Sequence, residues 1–193
     1  MKSTLLKNYF YNSILLVINM IYPLITSIYI NRIFELNQIG DLTFYMSIVN
    51  VFITLSTLGM VNYASKEIAI IKTNHNLLKK KFSEFFILNL LSSLFFFMIF
   101  IILFFSFYEK KKLIYIVLSL NIFGNIFNIE WFFIGTENFK YIFKRNIIVK
   151  ILVLFLMFIF IKNKVDFNKY IILLVIGTIG NNIFNIKLQG GLL

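Results

Sequence analysis

Charged residues in this chain come in bunches, and long apolar runs separate the bunches. Residues 9–31, 42–65, 85–108, 113–129 and 170–186 carry no Lys, Arg, Asp or Glu, and residues 146–161 carry only Lys150. An α-helix rises about 1.5 Å per residue and a bilayer's hydrocarbon core is about 30 Å thick, so each run is long enough, or nearly so, to cross it. The pattern predicts an all-α polytopic membrane protein, a bundle of six transmembrane helices in a single unit over residues 1–193. The first run exceeds the apolar core of a cleaved signal peptide and lacks a small-residue cleavage site, so it reads as a helix. Pro23 inside it predicts a kink.

The connections carry their own pattern. Residues 66–84 read as the longest loop, holding Lys66, Lys72, Lys79, Lys80 and Lys81. Within it Ile68 and Ile71 recur at helical spacing, which fits either a short amphipathic helix on the membrane surface or an extension of the second span. Residues 109–112 and 162–169 read as tight turns. Residues 128–151 interleave charges, aromatics and Gly, with Trp131 and Tyr141 expected at headgroup depth, where one side of the ring meets lipid and its polar tip meets water. One internal echo sets Asn125-Ile126-Phe127-Asn128-Ile129-Glu130 against Asn182-Ile183-Phe184-Asn185-Ile186-Lys187. Each closes a span, which fits either a repeated two-helix unit or chance in a chain rich in Ile, Asn and Phe.

Composition agrees with the pattern. Of 193 residues, 60% are hydrophobic and 14% charged, with a mean hydropathy of +0.86, where soluble domains are nearer 25% charged. The net charge of +11 could serve nucleic acid, but its place between lipid-like runs marks it as topogenic, so no nucleic-acid partner is expected. Lys and Arg are in excess on the side that six crossings assign to both termini, which puts the termini in the cytoplasm and the chain in the inner (cytoplasmic) membrane. With no Cys and a single His, His75, in a polar setting, disulfides, thiol nucleophiles and His-based triads are excluded, and no metal or cofactor is expected.

Few side chains could do chemistry. Asn121, Asn125 and Asn128 share a helix face, as do Asn181 or Asn182 with Asn185. An amide in hydrocarbon must be hydrogen-bonded, so these stripes either line a polar cavity or glue helices together. Lys150 lies about one turn inside the fifth run, where an ionisable group is a functional candidate unless its stem snorkels to the headgroups. Arg32 and Lys66 stand at span ends, facing either lipid phosphate or an anionic substrate. Glu130 and Glu137 fit interface charges better than proton-coupling sites. No carboxylate pair, phosphate loop or nucleophile motif is present, so no catalytic residue is assigned and the chain is not expected to be an enzyme.

Several short segments, in order, carry a family resemblance over about residues 4–186. They are Pro23-Leu24-Ile25-Thr26 with Tyr29 and Arg32, Ile39-Gly40, Leu58-Gly59 with Tyr63, Lys66-Glu67-Ile68-Ala69, Phe82-Ser83-Glu84 and Leu88-Asn89. The most specific are Asn128-Ile129-Glu130-Trp131-Phe132-Phe133 with Gly135, then Glu137-Asn138-Phe139, Tyr141-Ile142 and Arg145-Asn146. In these the chain resembles the polysaccharide (O-antigen or capsule repeat-unit) flippases of the multidrug/oligosaccharidyl-lipid/polysaccharide exporter superfamily. It departs from them at Phe34-Glu35, where the family often has Leu-Gly, and at Lys66, where it often has Arg. Such flippases consist of two six-helix bundles, and the resemblance covers the first; residues 188–193 depart from the pattern and read as a truncated end. The resemblance implies transport of an undecaprenyl-diphosphate-linked oligosaccharide for polysaccharide biosynthesis. Arg32, Lys66 and Lys150 would offset diphosphate charge, and Asn121, Asn125 and Asn128 would meet sugar. The bilayer, the lipid-linked oligosaccharide, and a missing C-terminal half or a second copy are the implied partners. Two alternatives stay open: a membrane enzyme of polysaccharide assembly, polymerase-like, which the short external turns disfavour, and a non-transporting remnant.

Overall fold

The structure, a computed structural model, describes residues 2–107 and 112–185. Most of the expected 109–112 turn and the 188–193 tail lie outside the described residues. Those described form eight α-helices and no strand: α1 (Lys2–Ile33), α2 (Leu36–Thr57), α3 (Met60–Ile71), α4 (His75–Phe107), α5 (Lys112–Gly124), α6 (Glu130–Gly135), α7 (Phe139–Phe160) and α8 (Phe167–Ile183). Short 3₁₀ turns over Asn125–Phe127 and Lys164–Asp166 join α5 to α6 and lead into α8. The chain is an all-α multi-pass membrane protein. Leu6–Ile33, Leu36–Ile71, His75–Phe104 and Ile114–Gly135 are each long and apolar enough to cross a membrane. The long helices pack side by side: α1 on α7, α7 on α8, α8 on α5, and α5 against α2 and α4.

Helices outrun the charge-free runs because a charge ends the hydrocarbon-crossing part of a helix without ending the helix. The expected long loop at 66–84 is therefore mostly helical. Leu58 (φ 47°) and Gly59 (φ 67°) both sit in the left-handed region and break the rod, so α3 is a separate helix and not a plain extension of α2. Met60, Ala64 and Ile68, four residues apart, bury one face of α3. Only a short break follows. Asn74 then caps α4, its Oδ1 accepting the Leu77 N–H at 3.2 Å. Leu78, Phe82 and Phe85 face inward while Lys79 and Lys80 face out.

At the end of the bundle where α1 begins, α3, α4, α6 and α7 enclose an aromatic box. Trp131 is its centre, 2% exposed, 5.6 Å from the rings of both Phe82 and Phe85. Protein, not lipid, surrounds the indole, and its Nε1 finds no acceptor among the described residues. Gly135 lets α6 touch α3. A Cβ there would lie 2.7 Å from the Ile68 side chain and from the Ser65 carbonyl oxygen. α6 closes with the Asn138 N–H donating to the Phe133 carbonyl at 2.8 Å and the Glu137 N–H to that of Ile134 at 3.0 Å. This turn holds Glu137 at φ 58°, a conformation costing about 1 kcal/mol outside glycine. An ion pair from Lys72 at 2.7 Å offsets part of that.

The opposite end is tied as well. The Tyr29 hydroxyl donates to the Ile161 carbonyl at 2.7 Å, Lys164 pairs with Glu35 at 2.9 Å, and Gln38 donates to the Lys164 carbonyl at 3.2 Å. Phe34 packs edge-to-face on Phe167 and at a tilt on Tyr170.

Candidate functional site

Polar side chains inside the bundle fall into two groups. The first surrounds the place where α5 unwinds. A helix that stops within the bundle exposes its last carbonyls, and lipid offers them no donor. Here three asparagines supply the donors. Asn182 donates to the Gly124 carbonyl at 3.1 Å. Asn89 donates to those of Asn125 at 2.9 Å and Ile126 at 3.0 Å. Asn185 donates to that of Phe127 at 3.3 Å. The two halves of the Asn-Ile-Phe-Asn echo therefore meet: Asn185 of the second closes the Phe127 carbonyl of the first, and Asn182 the Gly124 carbonyl just before it, while Ile186 and Lys187 lie outside the described residues.

The expected Asn121–Asn125–Asn128 stripe is split, with Asn125 and Asn128 drawn into this network and Asn121 outside it. Asn125 is buried and donates to the hydroxyls of Ser56 (3.0 Å) and Ser93 (3.4 Å). The Ser92 hydroxyl donates to the Ser56 carbonyl at 2.7 Å. Asn128 donates to Asn125 Oδ1 at 3.3 Å, and its own Oδ1 accepts the Glu130 N–H. Asn121 accepts from the Thr178 hydroxyl. These amides hold α2, α4, α5 and α8 together. Asn89, Ser56 and Ser93, which spacing did not single out, are as central as Asn125; Asn89 was marked in the sequence by its place in the Leu88-Asn89 segment, and the two serines only by being polar inside apolar runs.

Arg145 belongs to the same end. It is buried, donates to Asn185 Oδ1 and lies 3.8 Å from the Glu130 carboxylate, while its Nε has no acceptor among the described residues. Tyr141, also on α7, donates to the Phe184 carbonyl at 2.7 Å. Glu130 and Glu137 are thus engaged by Arg145 and Lys72.

The second group centres on Lys150. The expected start of its helix at residue 146 is corrected to Phe139, which moves Lys150 from the first turn to roughly three turns in, about 16 Å along the axis. Arg145, the nearest charge on the same helix, is about 7.5 Å behind it, a distance over which a lysine stem can snorkel. Nζ instead donates to Asn19 Oδ1 on α1 and lies 5.0 Å from the centre of the Tyr22 ring, a cation–π contact. Among the described residues no carboxylate pairs with it. Lys150 borders two spaces. One is a cavity of about 160 Å³ between α1, α7 and α8, lined also by Tyr22, Gly177, Thr178 and Asn181. The other is an apolar groove of about 270 Å³ between α1 and α7. Asn181 donates to Asn146, leaving its Oδ1 without a partner among the described residues.

Arg32 and Lys66 do not join this site. Arg32 is exposed in the last turn of α1, at the end held by Tyr29 and Lys164. Lys66 is exposed on α3 at the opposite end. The structure brings Lys150, Asn121, Asn181 and Thr178 to one side of the bundle, keeps Asn125 and Asn128 at the unwound end of α5, and separates the other two cations.

A family model described as polysaccharide biosynthesis protein matches residues 5–187. No curated protein and no solved structure matches the chain.

Proposed function

Because this chain belongs to the polysaccharide biosynthesis protein family, we propose that it acts in the translocation of a lipid-linked oligosaccharide across the cytoplasmic membrane, as a transporter and not an enzyme. The observation that carries this reading is Lys150, the one cation inside an otherwise charge-free run, bordered by a cavity and paired with no carboxylate among the described residues. An ionisable group inside such a run is costly and is kept where it meets an anion or a polar path. A polyprenyl diphosphate supplies the anion, and Asn181, Thr178 and Asn121 offer amide and hydroxyl groups of the kind that replace water around sugar. The diphosphate's charge is met by Lys150, with Arg32 and Lys66 at the two ends of the path. The excess of Lys and Arg on the side that six crossings assign to the termini supports a cytoplasmic position for both. A second bundle, either a C-terminal half or another copy, would supply the facing wall.

The test is to replace Lys150 with Ala and with Arg in cells that make their surface polysaccharide through this protein. Lys150→Ala is expected to lower output at least tenfold at unchanged protein level, with lipid-linked repeat units accumulating on the cytoplasmic leaflet; Lys150→Arg keeps most of it. Normal output from Lys150→Ala overturns the proposal.

A further inference from the structure

The groove between α1 and α7 has a one-sided chemistry. Ile18, Ile21 and Ile25 of α1 face Ile147, Ile151 and Leu154 of α7. Both sets recur at helical spacing, so each is one continuous helix face. Ile21, Ile25 and Ile151 are 46%, 41% and 61% exposed, so the groove opens to the lipid. Its only charge is Lys150, with Tyr22 beside it. Resting on the reading of Lys150 as an anion-binding group, we infer that this groove seats the hydrocarbon chain of an anionic polyprenyl lipid, with its phosphate at Lys150 and its chain leaving sideways into the bilayer.

Three rival occupants fit less well. A sugar diphosphate without lipid has nothing to set against six branched side chains. A neutral lipid leaves the amine without a counter-charge in an apolar setting. A helix from a second copy would have to bring a carboxylate to Lys150, and the described spans hold few carboxylates. An anionic lipid satisfies both halves of the groove: its chain buries apolar area and its phosphate neutralises the cation.

The experiment places the photoreactive residue p-benzoylphenylalanine at Ile21, at Ile151 and, as a control, at Ile102, which is 62% exposed on α4. The 193-residue chain is put into phosphatidylcholine nanodiscs containing undecaprenyl diphosphate. Crosslinking to that lipid is expected at Ile21 and Ile151 with a yield at least fivefold above Ile102, and Lys150→Gln should remove the excess. Equal yields at all three positions overturn the inference, as does equal labelling by uncharged undecaprenol. A crosslinked protein dimer in place of a lipid adduct also overturns it, in favour of a contact between copies. If benzoylphenylalanine disturbs the fold, Ile25→Trp fills the groove instead, and lipid retained after purification, measured by mass spectrometry, should fall at least fivefold; unchanged retention overturns the inference. Groove labelling with normal polysaccharide output from Lys150→Ala would count against transport alone. Lost output without groove labelling would count against the groove alone.

Discussion

A single amide shows what polar residues do inside this bundle. Asn89 is 3% exposed and serves two carbonyls of the unwound turn after α5. Leucine has nearly the same shape and no donor, so Asn89→Leu orphans the Ile126 carbonyl, at about 1–3 kcal/mol, and leaves that of Asn125 with the Asn128 N–H alone. The expected result is an unfolding midpoint in detergent lower than that of an exposed-site variant such as Ile102→Leu. The run of residues 85–108 marked Asn89 as polar within a span, but its partners lie 36 and 37 positions along the chain, and no local spacing reports them. The burial of Trp131 is hidden from the sequence for a related reason. Its preference for the headgroup layer holds for a ring facing lipid, and here α3 and α4 cover it. Lys150 was legible as an ionisable group inside an apolar run, whereas its place in the helix was not, because charges at Lys140, Lys144 and Arg145 concealed a helix that was already under way.

Among the elements, the α3–α6 contact is the tightest and the most exposed to substitution. Gly135→Ala would drive a methyl against a backbone oxygen that cannot rotate away, so the two helices must part. The expected cost is about 1–3 kcal/mol, read as a lowered melting temperature together with faster proteolysis near Lys66. The turn before α8 gives an element-scale pH effect. Asp166 accepts N–H groups of Lys162 and Asn163, each at 3.0 Å, and pairs with Lys169 at 2.6 Å. The Lys169 ammonium and these two N–H donors hold its carboxyl at about 2, below the ordinary 3.8. A lowered folded-state pKa contributes stability that is fully present above about pH 4 and is lost as pH falls toward 2. The wild-type chain should therefore exceed Asp166→Asn in thermal stability at pH 6, with the gap narrowing between pH 4 and pH 2. The turn itself was legible as a charged break between two apolar runs, while its internal pairing was not.

At the scale of the molecule, two apolar clusters divide the bundle. One runs from Phe34 and Phe167 through Leu118, Ile122 and Val153, and the other is the aromatic box around Trp131. The all-α, membrane-spanning class was legible because lipid imposes length directly, whereas six apolar runs were expected to cross and four stretches among the described residues are long and apolar enough to do so. The box was not, since it depends on Leu58 and Gly59 turning the chain, and Leu58 carries no turn signal of its own. That bend has a consequence for biosynthesis. Residues 60–71 leave the ribosome long before residues 130–135, so the face bearing Met60, Ala64 and Ile68 stays half uncovered while the nascent chain grows, with only α4 to shelter it. In arrested translation intermediates, cysteine placed at Ile68 should react readily with a small maleimide when the chain stops short of Glu130, and should become resistant once Gly135 has been added and released from the exit tunnel.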